Sequence, residues 1–168
     1  MFLFLLPAAL VFVLDRLTKF RVMKTMAVGE SIQVLGNFFR ITSVRNTGAA
    51  FGMFAGNHLV FVVISVVAII AVLALQLRIG RGHALRSLAL GLILGGAAGN
   101  VYDRIVYREV VDFLQFSAGR WSFAVFNIAD SAVTIGVALL ALETYVHGKP
   151  RVEQAPAVPS PPEGGGGL

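Results

Sequence analysis

Four stretches of this chain, roughly residues 2–20, 59–77, 84–103 and 123–146, are each apolar over about the 20 residues that an α-helix needs to cross the hydrocarbon of a bilayer. Backbone amides in hydrocarbon must find partners within the protein, so such a chain has few options beyond a bundle of helices. Composition agrees, with 57% of residues hydrophobic and 14% charged against about a quarter charged in soluble domains. The expected fold is an all-α membrane protein with four transmembrane helices. The first span is apolar only to Leu14, about 20 Å of helix, which leaves Asp15, Thr18 and Lys19 near its far end. Asp15 and Lys19 are one turn apart and can pair. Without a basic n-region or an A-x-A-like cleavage site, this segment reads as a retained anchor rather than a removable signal peptide.

Between the first two spans, SIQVLGNFFRITSVRNTGAAFG carries β-branched and aromatic residues on both sides of Leu35-Gly36-Asn37, which predicts a small β-hairpin on the membrane surface. Residues 78–86 form a short basic link, and residues 104–122, which include VVDFLQF, read as a mixed loop. From residue 148 the chain holds five of its six prolines and a run of glycines, so it lacks the side chains to build a core. A disordered tail (148–168) is expected behind a single membrane domain (1–147). There is no Cys, and His58, His83 and His147 are far apart, so disulfides, thiolate chemistry and a zinc site are not expected. The net charge of +5 raises nucleic acid as a partner. The basic residues lie beside apolar segments, however, and attraction to anionic membrane lipid explains them more simply.

Alternation across the bilayer puts the end of the first span, the start of the second, the end of the third and the start of the fourth on one side. Those four places hold the polar residues: Asp15 and Lys19; Asn46 and Gly48; Asn100, Asp103 and Arg104; Asn127 and Asp130. Asp112 lies in the loop ahead of the fourth span. The opposite side holds little beyond the Arg-rich link, Glu143 and the tail. One polar group at a helix end is ordinary snorkelling; four ends on one side point to a site. Charge does not orient the chain: the link side has five Lys and Arg and the crowded side eight, yet the density in the short link favours the reverse placement.

Of nine acidic residues, Glu153 and Glu163 are in the tail, Glu143 is on the opposite side and Glu30 is in the surface loop. Asp15 has Lys19 and Arg16, and Asp103 abuts Arg104, counter-charges that suit a structural or substrate-orienting role. Glu109 follows Arg108 and is expected to be solvated. Asp112 and Asp130 have apolar flanks and no cation beside them in sequence. If the loop folds Asp112 against the start of the fourth span, the two acids would share a proton, the working state of an aspartic protease. Spacing leaves a second reading open, in which Asp130 caps the fourth span and Asp112 is an ordinary loop acid. No HExxH or GxSxG motif is present. Gly91, Gly95 and Gly99 recur every four residues, a stripe that permits close helix packing.

Five blocks occur together and in order: DRLTK (15–19), RNTGAAFG (45–52), GGAAGNVYDR (95–104), VVDF (110–113) and FNIADSAVTIG (126–136). On these the chain resembles, from about residue 10 to residue 145, the type II or lipoprotein signal peptidases of bacteria. The resemblance implies a four-helix membrane aspartic peptidase that removes the signal peptide from a prolipoprotein by cutting before a diacylglyceryl-modified Cys. It places the catalytic pair on Asp112 and Asp130. Asn46, Gly48, Asn100, Arg104 and Asn127 are implied to hold the lipidated substrate, with Asp15, Lys19 and Asp103 supporting the site. It further implies a hairpin that cradles substrate at the outer surface of the bacterial plasma membrane, both termini in the cytoplasm, a monomer, and no metal or cofactor. Arg16 stands where Gln is commoner in that family, and the Pro/Gly tail is not a family feature. Two other classes make different demands. A small proton-coupled transporter needs ionisable groups through the depth of the bilayer, and the second span has none. A non-catalytic lipoprotein-binding module would bind precursor without releasing two products.

Overall fold

The computed structural model of the chain describes residues 1–48, 58–80 and 83–147. Along it follow α1 (Phe2–Thr25), β1 (Ser31–Leu35), β2 (Phe39–Asn46), α2 (His58–Leu75), α3 (Ala84–Val106), β3 (Val110–Ala118), β4 (Trp121–Ser122) and α4 (Ile128–His147). A π-helical turn, Gln76–Gly80, closes α2. Among the described residues, three segments are long and apolar enough to cross a membrane: Leu59–Gly80, Ala84–Val106 and Ile128–Val146. The 24-residue α1 is as long, but carries Asp15, Arg16 and Lys19 on its second half. The Leu59–Gly80 segment has a mean hydropathy of 3.0 and is only 11% buried, so its apolar side chains turn outward, as a lipid-facing helix requires.

Helix α3 is the hub, packing against α1, α2 and α4. Its glycines explain how close the neighbours come. A Cβ on Gly95 would sit 2.5 Å from the Ala8 carbonyl oxygen of α1, and one on Gly91 would overlap the Phe4 carbonyl. On the other face, a Cβ on Gly96 would overlap the Ala129 carbonyl of α4, and one on Gly136 of α4 would sit 2.7 Å from the Ala89 carbonyl oxygen. The glycine stripe is thus the contact line between helix backbones. One apolar cluster, Phe4, Val72 and Leu90, closes one end of the bundle. A second, Val22, Met26, Val111 and Phe113, joins α1 to the sheet at the other.

The hairpin predicted around Leu35-Gly36-Asn37 is present, with Gly36 at φ 50°, but it is half of a larger element. Residues 104–122 are not a loop. VVDFLQF lies within β3, which pairs antiparallel with β2 from Phe39↔Phe116 to Asn46↔Val110, giving a four-stranded sheet in the order β1-β2-β3-β4. Val110 to Phe113 are all buried, and a strand covered on both faces lacks the apolar/polar alternation that would reveal it in sequence. The fold is therefore an apolar helix bundle with a small antiparallel sheet at one end, rather than an all-α bundle with one hairpin. The fourth helix starts at Ile128, later than the apolar run suggests. Phe126 instead extends the sheet, exchanging backbone hydrogen bonds with Leu114 (2.7 and 3.0 Å). The proposed tail, 148–168, and residues 49–52 of the RNTGAAFG block lie outside the described residues.

Candidate active site

Asn127 immediately precedes α4, where free backbone N–H groups call for an acceptor. Its Oδ1 accepts the Asp130 N–H at 2.9 Å, and Asp130 Oδ2 accepts the Asn127 N–H at 3.3 Å, a reciprocal cap. The Asn127 side-chain NH2 then donates to Asp112 Oδ1 at 2.7 Å. One residue therefore bonds to both acids. Asp112 is further held through Oδ2 by Asn46 Nδ2 (2.8 Å), and Asp130 through Oδ1 by Asn100 Nδ2 (2.7 Å). Asn46 Oδ1 in turn accepts the Gly48 N–H at 2.9 Å. Gly48 sits at φ 90° with the Phe61 ring against it, so no other residue fits there.

The two acids differ in setting. Asp112 is 2% exposed, whereas Asp130 is partly open to solvent. Burial pushes the Asp112 carboxyl up to about 6, helped by the charge of Asp130 and opposed by the hydrogen bonds from Asn46 and Asn127 and by the charge of Lys19. Asp112 is thus not an ordinary loop acid, and Asp130 caps its helix while facing a second carboxyl. Beside Asp130 opens a mainly apolar cavity of about 330 Å3, bounded by Phe126, Ser131, Thr134 and Ile135, which lie in the FNIADSAVTIG block but were not singled out there as site residues.

Beneath the acids lies a buried ionic cluster. Lys19, fully buried, has Asp15 Oδ2 at 2.9 Å, Asp103 Oδ2 at 2.8 Å and Asn100 Oδ1 at 2.9 Å, one oxygen for each of its three donors. Arg16 pairs with Asp103 Oδ1 at 2.6 Å and Asp15 Oδ2 at 3.2 Å, and its guanidinium lies over the Tyr102 ring at 4.7 Å. Two carboxylates meet two cations, so the cluster is neutral and can persist away from water. It is also a joint. Asp15 Oδ1 accepts the Ala129 N–H of α4 (3.1 Å) and Asp103 Oδ2 accepts the Val111 N–H of β3 (3.3 Å), which ties α1 and α3 to the residues adjoining Asp130 and Asp112.

Three expectations need correction. Asp103 makes its ion pairs with Lys19 and Arg16 of α1, while its neighbour Arg104 reaches it only through a longer-range attraction, because consecutive residues on a helix point in different directions. Arg104 lies over the Phe61 ring (5.8 Å), donates to Asn100 O (3.3 Å) and acts electrostatically on Asp130, Asp112 and Asp103. The two acids thus have cations near them in space that are not beside them in sequence. Glu109 is paired with Arg45 at 3.3 Å. The expected Asp15–Lys19 pair is present, and all ten residues singled out from the sequence as site or support fall in this one region. The bridge from Arg16 to Asp103 had no sequence signal, since it joins residues far apart in the chain. Among the described residues, no three His, Asp or Glu side chains are grouped so as to hold a metal ion.

Residues 7–146 match the family described as signal peptidase (SPase) II. The chain is 42% identical over 144 residues to the lipoprotein signal peptidase of Brevibacillus brevis, covering 86% of this chain and 95% of that protein. It is 44% identical over 143 residues to that of Geobacillus kaustophilus (85% and 93%) and 42% identical over 153 residues to that of Bacillus subtilis (90% and 99%). Its fold is similar to that of a bacterial membrane enzyme solved by the in meso method at 2.3 Å resolution, with a TM-score of 0.81 and 35% identity over 89% of this chain and 92% of that one.

Proposed function

Given that this chain belongs to the signal peptidase II family and is therefore an aspartic endopeptidase of the membrane, we propose that it cuts diacylglyceryl-modified prolipoproteins ahead of the lipid-modified Cys, with Asp112 and Asp130 activating one water. The observation that carries this reading is the double attachment of Asn127, bonded to Asp112 through its amide and to Asp130 through its cap. Asp130, the more open acid, takes a proton from the water as its oxygen attacks the scissile carbonyl carbon. Asp112, which burial keeps protonated to about pH 6, supplies a proton to the carbonyl oxygen. Collapse of the tetrahedral intermediate breaks the C–N bond: one of its hydroxyls returns a proton to Asp112 as the C=O bond re-forms, and the proton gained by Asp130 leaves with the amine.

The remaining residues fit this scheme. Asn100, itself anchored by Lys19, holds Asp130; Asn46, turned by Gly48, holds Asp112. Arg104 supplies positive charge beside both acids for a developing oxyanion. The apolar cavity at Phe126 and Ile135 has the character to take an aliphatic side chain or the start of an acyl chain. In this reading α1 to α4 all span the plasma membrane of a bacterium, both termini are cytoplasmic, the chain acts as a monomer, and the sheet cradles substrate at the outer surface.

The test is cleavage of a lipid-modified precursor by purified protein in detergent. Asp112→Asn and Asp130→Asn should each lower kcat by at least about 10^3-fold, within the range of acid–base catalysis, with the melting transition retained. Near-normal turnover by either variant would remove that acid from the mechanism.

A further inference from the structure

On the opposite edge of the sheet from the bundle, the two hairpin tips lie side by side. Phe39 pairs with Phe116, Ser117 N–H donates to Phe38 O at 2.8 Å, and Ala118 pairs with Trp121 across the Gly119-Arg120 turn. Between the tips is a polar cavity of about 340 Å3 bounded by Asn37, Arg40, Ser117, Arg120, Trp121 and Ser122. Arg40 and Arg120 make no ion pair with any carboxylate among the described residues. One nitrogen of Arg40 is fixed by Asn37 Oδ1 at 2.9 Å, while its Nε–H has no partner. The cavity wall is pre-ordered by cross-strand bonds: Thr42 to Gln115 Oε1 (2.7 Å), Gln115 to Ser122 Oγ (2.9 Å) and Ser117 to Ser122 (3.2 Å). Two guanidinium groups at one polar cavity match a phosphate oxyanion, for which planar N–H pairs are the preferred donors.

The surroundings say where such a phosphate would come from. Trp121 is 82% exposed and Phe123 68%, and Phe38, Leu35 and Val34 of the neighbouring tip are exposed as well. Aromatic and aliphatic side chains bordering a cationic polar pocket are the arrangement that suits the headgroup layer, where rings sit in the interface and Arg meets phosphate.

We propose that the Arg40–Arg120 cavity binds the phosphate of an anionic membrane lipid, seating the sheet tips in the headgroup layer. This site is separate from the Asp112–Asp130 centre and does not depend on the peptidase mechanism. Trp121 is the only tryptophan of the chain, so its emission reports on this cavity alone.

The experiment titrates the full chain, in neutral detergent micelles, with phosphatidylglycerol, phosphatidylcholine or inorganic phosphate. Phosphatidylglycerol should change Trp121 emission saturably, and phosphatidylcholine and inorganic phosphate should not. Arg120→Gln, an exposed turn residue without a bond to lose, and Arg40→Gln/Arg120→Gln should raise the half-saturating phosphatidylglycerol concentration, the double variant about tenfold or more. An unsaturable response, or one unchanged in the double variant, would overturn the site. An equal response to inorganic phosphate would reassign it to a soluble anion and overturn the lipid source. Circular dichroism melts of both variants show whether the sheet is intact.

Discussion

Asn127 donates to Asp112 Oδ1 at 2.7 Å with its amide nitrogen and receives the Asp130 N–H at 2.9 Å on its amide oxygen. The two ends of one side chain thus do different jobs, and substitution can separate them. Asn127→Ser keeps a hydroxyl that can cap α4 but has no reach to Asp112; Asn127→Ala loses both. Asn127→Ala should cost about 1–2 kcal/mol in stability through the lost cap, and Asn127→Ser less than about 0.5 kcal/mol. Both should lower kcat by about 10- to 100-fold, the worth of a hydrogen bond to a charged group. Unfolding and cleavage measured on the same preparations check this; a Ser variant with full activity would show that the contact to Asp112 is dispensable.

The raised Asp112 carboxyl predicts the sign of the pH profile. Its value of about 6 means that the proton needed for catalysis is held below that pH and lost above it, so kcat/KM should fall on the alkaline side from about pH 6. Asn46 donates to Asp112 Oδ2 and favours the ionised form. Removing it in Asn46→Ala should shift the alkaline limb to higher pH by about one unit. A limb that stayed in place, or moved to lower pH, would dissociate it from Asp112.

Lys19 and Arg16 serve the same two carboxylates but are not equivalent. Lys19 is fully buried with three oxygens around it, whereas Arg16 keeps 17% of its side chain exposed. Lys19→Met should leave buried carboxylates under-neutralised and cost about 3–5 kcal/mol. Arg16→Gln leaves Lys19 bound to both acids and keeps an amide donor, and should cost about 1.5–3 kcal/mol, less than Lys19→Met, with cleavage within about tenfold of the parent. Denaturant titration in mild detergent compares them, and equal losses would refute the ranking.

Gly96 touches α4 where the site begins. A Cβ there would overlap the Ala129 carbonyl and come within 2.8 Å of Val133 Cγ2, so Gly96→Val must push α4 away from α3. Ala129 is next to Asp130 and holds the Asp15 contact. The variant should lose about 3 kcal/mol or more and most of its activity, while Gly119→Ala, in a surface turn with nothing within 4 Å of the added atom, should retain activity at a small cost from its φ of 59°. Cleavage assays and thermal melts on both variants test the contrast.

The apolar runs determined the helices, because a long, mainly apolar stretch has essentially one way to satisfy its amides in hydrocarbon. Alternation of those runs across a bilayer, taken as a premise, led to the expectation that Asp15, Lys19, Asn46, Asn100, Asp103, Asn127 and Asp130 share one end, whereas Asp112 joined them only on the condition that its loop folds back. The hairpin at Gly36 was legible from local turn chemistry. What the sequence did not carry was pairing between distant segments. Strand β3 was hidden because Val110–Phe113 is covered on both faces, so its identity depends on β2 and α1 rather than on its own pattern. The direct ion-pair partners of Asp103, Lys19 and Arg16, were missed because adjacency in the chain is not adjacency across a helix interface. The tertiary structure alone decided that Asn127 would join two acids from different elements and that Lys19 and Arg16 would neutralise Asp15 and Asp103 together. Hydrogen bonds act over about 3 Å, and only packing brings Asp15 and Asp103 within that range of Lys19, and Asp112 within that range of Asn127.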